Sequence, residues 1–389
     1  MRGRRWVLVT VAALLIAPLT LPTAATGAAT AASAQPAGPS TEAERLVADM
    51  TTAERAASIV MGHIPTTDPA ALSAYMRSTG IGGFILMGAN VPATEAELRI
   101  VTEALDVDPD VPPLIAIDQE GGDVSRLTWD TFPASRVLKE RPVAEAAAAF
   151  AARAALVARA GANVNFGVVA DTTPDASSFI HGRSLGADPA SAAERVGAAV
   201  AAEEPFVAST LKHFPGHGAA PGDSHELIPS TSETLEQWRQ SDALPFVAGI
   251  DAGASLLMFG HLAYTAVDPL PSSLSPRWHE IARDELGFDG VIVTDDLGML
   301  QSTGIPEYAD PVANAVSAVA AGTDLMLMIA HSSPETAAQL AAGIAAAVDS
   351  GVISEERLQD AAERVMTLRL ERAASGAVWA ACPECEPAT

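Results

Sequence analysis

Residues 41–375 of the chain are predicted to form a single α/β domain, a (β/α)8 TIM-type barrel. Three observations carry that expectation. Short apolar runs alternate with longer Ala-rich segments of helical character. The runs are continuous rather than alternating, which suits parallel strands covered on both faces. Eight such strand–helix units fit in sequence, the number that closes this barrel. A doubly wound sheet shares the local pattern, but no composition shift marks a second domain and no repeat of fixed period occurs.

In chain order, residues 1–34 read as a signal peptide. Arg2, Arg4 and Arg5 form a positive start, an apolar run covers 6–21, and Ala32-Ser33-Ala34 fits a small-residue cleavage site. Export therefore follows, to the medium or the cell wall, with no stable membrane insertion after cleavage. No later segment is apolar for long enough to span a bilayer. Residues 35–40 read as a linker. Thr41 with Glu44 and Thr51 with Glu54 are spaced as capping boxes opening two helices. The strands are expected at 59–63, 83–87, 114–118, 163–169, 209–213, 255–259, 290–295 and 324–329. Helices are expected at 94–105, 144–160, 188–202, 232–252 and 311–321, the first capped by Thr94 and the third by Asp188 with Pro189 behind it. A last helix over 354–372 carries the stripe Leu358, Ala361, Val365, Leu368 and should pack on the barrel exterior. The tail 376–389 holds the chain's two cysteines, Cys382 and Cys385, spaced for a local disulfide in an oxidising compartment.

Charge narrows the function. Lys plus Arg number 23 against 48 Asp plus Glu, a net charge of -25. Nucleic acid is excluded as a partner, because phosphate neutralisation needs a basic face. Hydrophobic residues make up 49 % of the chain, enough for a sizeable core. Oligomeric state is not written in the sequence.

Chemistry in such a barrel collects where strands end and loops begin. The third predicted strand ends in Asp118-Gln119-Glu120-Gly121-Gly122, the fifth in Lys212-His213-Phe214-Pro215-Gly216-His217-Gly218 followed by Asp223-Ser224-His225, and the seventh in Thr294-Asp295-Asp296. A lysine entering a barrel mouth needs carboxylates or ligand oxygens as partners. Proline and glycine after it dictate a tight backbone path. Asp223 can fix the tautomer of His225 and raise the proton affinity of its outer nitrogen. Asp295 can serve as nucleophile, metal ligand or loop acceptor, Asp118 as a ligand-binding carboxylate, and Asp296 as a helix cap.

These motifs, in this order, resemble glycoside hydrolase family 3, and most closely its single-domain bacterial β-N-acetylglucosaminidase (β-N-acetylhexosaminidase) branch. The match runs from about Thr41 to Arg372. The resemblance implies a (β/α)8 fold and retaining hydrolysis of terminal β-linked N-acetylglucosamine from peptidoglycan fragments or chitooligosaccharides, with no cofactor and no metal. It assigns Asp295 as nucleophile, His225 as acid/base and Asp223 as its orienting partner. It places sugar contacts on Asp118, Arg126, Arg183, Lys212 and His213. Departures are Asp123 where the family has Arg, Ala219-Ala220 where Asp-Thr is usual, and Leu185 for Phe.

Four other readings compete. An imidazole acid/base does not repel an anion, so phosphate could replace water and make a glycoside phosphorylase; a β-glucosidase on the same scaffold is its neighbour. A metal-dependent hydrolase would use His213, His217, His225 and Asp295, although the Phe-Pro-Gly turn breaks the helix that would align the first pair. A non-catalytic secreted glycan-binding protein would need none of the three chemical positions.

Overall fold

The computed structural model describes residues 38–375. The signal segment 1–34 and the Cys382–Cys385 tail lie outside the described residues. Eight parallel strands form the wall: β1 Val60–Gly62, β2 Gly83–Leu86, β3 Leu114–Ile117, β4 Val164–Val169, β5 Ala208–Phe214, β6 Leu256–Phe259, β7 Val291–Thr294 and β8 Met326–Leu327. They pair in the order β7-β6-β5-β4-β3-β2-β1-β8. The ring closes where Val293 of β7 bridges Leu325, just ahead of β8, and the Thr294 N–H donates to the Leu325 carbonyl at 3.1 Å. Every residue of these strands is buried, as continuous apolar runs between helices and a filled interior require. Each predicted run coincides with one strand, β5 extending one residue beyond its run at either end. β8 is shorter than expected at both ends: ahead of it the Asp324 carboxylate is engaged with Arg283, Arg357 and the Ile292 N–H, and beyond it the Ile329 and Ala330 N–H groups turn to the Asp296 carboxylate.

Helices cover the outside. Asp188 caps Pro189–Glu203, Thr94 caps Glu95–Leu105, and the Thr51/Glu54 box is formed at Thr52–Ser58. The Thr41/Glu44 box is not made. That helix runs Pro39–Asp49 with Gly38 as its cap, so two residues assigned to the linker are helical. Pro39 explains the difference, since its fixed φ is already helical and its missing N–H costs nothing in a first turn. The stretch expected as one helix over 232–252 is two, Leu235–Gln240 and Ala243–Asp251. The break falls at Ser241, whose single hydroxyl proton has the Glu233 and Asp242 carboxylates and the Gln237 carbonyl as alternative acceptors, a competition with helical bonding typical of serine. The last helix, Glu355–Ser375, buries Leu358, Ala361, Val365 and Leu368 as expected.

One packing feature sets up the site. Phe214 at the end of β5 contacts Trp238, Phe246, Phe259 and Trp278 in a buried aromatic cluster. From it the Trp238 indole N–H donates to the Pro215 carbonyl at 2.7 Å, and the Tyr264 hydroxyl donates to the Gly216 carbonyl at 2.8 Å. The turn after β5 is thus pinned from below. Gly216 sits at φ 133, a value only glycine adopts readily. A side chain on Gly218 would stand 1.8 Å from the Thr172 carbonyl oxygen.

Candidate active site

At the C-terminal mouth of the barrel, a pocket of about 120 Å³ is lined by Asp118, Arg126, Arg183, Lys212, His213, His217, His225 and Asp295, with Phe179 and Met258 among its apolar walls. All the site residues expected from sequence line it except Asp223, which reaches it through His225.

The floor is an ionic lattice. The Lys212 ammonium, almost wholly buried, lies 2.9 Å from Asp118 and 2.8 Å from Glu120. Arg183 grips Glu120 with two bonds of 2.9 and 2.7 Å, and Arg126 meets Asp118 at 3.4 Å. Burial would raise both carboxyls, but Lys212 outweighs it, helped by Arg126 at Asp118 and by Arg183 at Glu120, so both are held below the usual range. Burial would likewise strip the proton from Lys212, and the same carboxylates keep it charged. Gln119 fixes the hairpin that carries Arg126, its amide oxygen accepting the N–H groups of Arg126 and Leu127 at 2.8 and 2.9 Å.

The wall beside β5 is organised by Asp171, which follows β4. This fully buried carboxylate accepts the His213 N–H at 3.1 Å, the His217 N–H at 2.7 Å and the His213 ring Nδ1–H at 2.6 Å. Burial alone would raise it; His213 and then His217 hold it below the ordinary value. The bond to Nδ1 leaves the Nε2 of His213 for the pocket.

Asp295 stands immediately after β7. Its N–H donates to the Phe259 carbonyl at 2.8 Å, and its carboxylate accepts the Asp296 N–H at 2.8 Å. Burial opposes its ionisation, but His213, His261 and the Asp296 N–H win, and the carboxyl lies below its ordinary value. Asp296 caps the following helix through the Gly298 N–H and also accepts the Ile329 and Ala330 N–H groups, tying β7 to the chain after β8. His261 is committed to structure: its Nε2–H donates to the Asp296 carbonyl and its Nδ1 accepts from the Ser273 hydroxyl.

The loop after the pinned turn brings His225 into the same pocket. Its Nδ1–H donates to Asp223 at 2.6 Å, while its side chain stays 65% exposed. Burial would raise Asp223, and the backbone N–H and ring of His225 bring it below the usual value. Nε2 of His225 is left to exchange a proton with whatever enters. Such a set suits a displacement at carbon: an ionised carboxylate, an imidazole oriented by a second carboxylate, and charged donors for hydroxyl groups, all lining one pocket.

Sequence reasoning missed Asp171 and Glu120. Glu120 stands in the Asp118–Gly122 motif right after β3, and that strand-end position was the available clue. Asp171 lies two residues past the end of β4, a strand-end position like that of Asp295 after β7. Asp123 forms an ion pair with Arg136. Among the described residues, no group of three or more His, Cys, Asp or Glu side chains is arranged to hold a metal ion, and no helix is long and apolar enough to cross a membrane.

Comparison with known proteins bears on this geometry. The family model described as the glycosyl hydrolase family 3 N terminal domain matches residues 51–368. A beta-hexosaminidase of Pseudomonas aeruginosa is 38% identical over 261 residues, covering 65% of this chain and 76% of that protein. One from Methylococcus capsulatus is 35% identical over 271 residues, 67% of this chain and 78% of the relative. Among solved structures, a glycoside hydrolase family 3 beta-N-acetylglucosaminidase from Paenibacillus sp. superposes with a TM-score of 0.76 at 29% identity, over 84% of this chain and 63% of its own. A Beta-N-acetylhexosaminidase from Beutenbergia cavernae gives a TM-score of 0.72 at 28% identity, over 83% and 99%.

Proposed function

Because this chain belongs to glycosyl hydrolase family 3, we propose that it is an exported, retaining exo-β-N-acetylhexosaminidase acting on peptidoglycan fragments or chitooligosaccharides. It is a glycoside hydrolase of the beta-hexosaminidase kind, and terminal N-acetylglucosamine is the sugar it releases. The observation that carries the mechanism is the sharing of one pocket by the ionised Asp295 and the Asp223-held His225.

In the first step Asp295 attacks the anomeric carbon while Nε2–H of His225 protonates the leaving oxygen, giving a glycosyl ester on Asp295 and a free aglycone. In the second, His225 takes a proton from water, the oxygen attacks the same carbon, and Asp295 departs. Two inversions return the β configuration. Asp223 stays ionised throughout and stabilises the imidazolium that forms in the second step. Asp118, Arg126, Arg183, Lys212 and His213 hold the sugar hydroxyls, with contacts that strengthen as the ring gains oxocarbenium character.

Turnover of an aryl β-N-acetylglucosaminide against the matching glucoside tests the reading. Preference for the glucoside would make the chain a β-glucosidase. A rate that rises with added phosphate, with sugar phosphate as product, would make it a phosphorylase. Binding of a chitooligosaccharide without turnover would leave it a glycan-binding protein.

A further inference from the structure

We infer that His217 is an additional sugar-contacting residue, bonding through its ring to one substituent of the pyranose held between Asp295 and His225. The inference rests on the functional reading above and extends it to a residue outside the expected set.

His217 is 1% exposed, lines the pocket, and has no hydrogen-bond partner within the protein at either Nδ1 or Nε2. Its neighbours differ. His213 gives Nδ1 to Asp171, His225 gives Nδ1 to Asp223, and His261 uses both nitrogens. Buried polar atoms almost always find partners, so two open nitrogens in the wall of a ligand pocket leave the ligand as the partner.

The ring's place is fixed by contacts that use neither nitrogen. Its backbone N–H is held by Asp171, and Phe179 meets the ring edge-on at 5.0 Å. The His213 ring lies 6.0 Å away, and the turn leading in is pinned by Trp238 and Tyr264. A group positioned this firmly with its polar atoms free is pre-organised for binding. Burial, only partly opposed by Asp171, pushes its pKa down to about 4, so at neutral pH it offers one N–H and one lone pair. A sugar hydroxyl or the acetamido group satisfies either. The charged donors beside it are already engaged with carboxylates, Lys212 with Asp118 and Glu120, Arg183 with Glu120. His217 therefore supplies what they lack, an uncharged group that reads the position of a neutral substituent.

The test measures kcat/KM of the wild type, His217→Phe and His217→Gln on an aryl β-N-acetylglucosaminide. Its 3-deoxy, 4-deoxy and 6-deoxy analogues and the matching glucoside complete the set, so that each ring substituent is removed in turn. On the parent, His217→Phe is expected to lose about 10- to 100-fold, the scale of one hydrogen bond left unmade in a buried site. The same variant should stop discriminating at one ring position while keeping its discrimination at the others. His217→Gln, which keeps a donor and an acceptor, should regain part of both losses. Uniform loss across all five substrates, or a loss below twofold on the parent, overturns the assignment. If His217→Phe does not fold, the glutamine variant decides alone: its discrimination must narrow at a single position, and an unchanged or uniformly scaled profile overturns the inference. A wild type inactive on the parent would instead sink the functional reading, and this inference with it.

Discussion

Replacing Asp171 by Asn changes one charge and almost no volume, and three bonds converge on that charge. The carboxylate takes the His213 N–H at 3.1 Å, the His217 N–H at 2.7 Å and the His213 ring at 2.6 Å, with no exposure to solvent. An amide offers one accepting oxygen, so its NH2 must face one of these donors. The short, charge-assisted ring bond is worth about 1.5–3 kcal/mol, and that much stability should be lost. If the His213 orientation is felt fully in the transition state, kcat/KM on an aryl β-N-acetylglucosaminide falls by roughly 10- to 100-fold. The pH dependence supplies the check. The folded carboxyl lies below its ordinary value of 3.8 because His213 and His217 outweigh burial. A depressed pKa gives stability that is present above 3.8 and lost as pH falls through the folded value. Urea unfolding should therefore show the gap between wild type and variant closing in acid. A gap unchanged between neutral and strongly acidic pH, or a kcat/KM within twofold of wild type, would refute the role given to this carboxylate.

Asp295→Ala should abolish turnover, and a mechanism-based fluoro-sugar inactivator should label Asp295; peptide mapping after inactivation reads the site directly. His225→Ala should spare aryl substrates with good leaving groups far more than natural disaccharides, because only the latter need protonation; comparable losses on both would remove its acid role. Glu203, buried against Asn165, is pushed up to about 8 by burial. A raised pKa gives stability that is full below 4.5 and lost as pH rises through about 8. Glu203→Gln should flatten that decline in a series of melting temperatures, and a parallel curve would count against it. A chelator should leave the rate unchanged, since every step is carried by Asp295, His225 and water.

The barrel was legible because its signal is local and repeated: each predicted apolar run coincides with one buried strand, whatever that strand's exact length. Helix ends were legible where a cap had only one possible partner, as at Asp188, and misread where Pro39 and Gly38 outcompeted Thr41. The break at Ser241 depends on a carboxylate eight residues earlier, which periodicity cannot see. At the pocket, motif residues came together as expected, whereas Asp171 escaped notice. Its importance comes from the convergence of His213 on β5 and His217 in the turn beyond it, partners more than forty residues away that its strand-end position alone does not reveal. Glu120 was hidden in plain view for the same reason, its partners Lys212 and Arg183 being distant along the chain.

The two ends of the reaction are mounted on supports of unequal stiffness. Asp295 is clamped between neighbouring strands and by the Asp296 crosslink, while His225 rides on a solvent-facing loop strung between the pinned turn and the pairing of Ser230–Thr231 with Ala263–Tyr264. Donor and acceptor preferences are thereby heritable apart from one another. Exchange of residues 219–225 between relatives can retune which aglycones depart without disturbing the grip on the departing sugar, so diversification is free to proceed at the rim while the floor stays put.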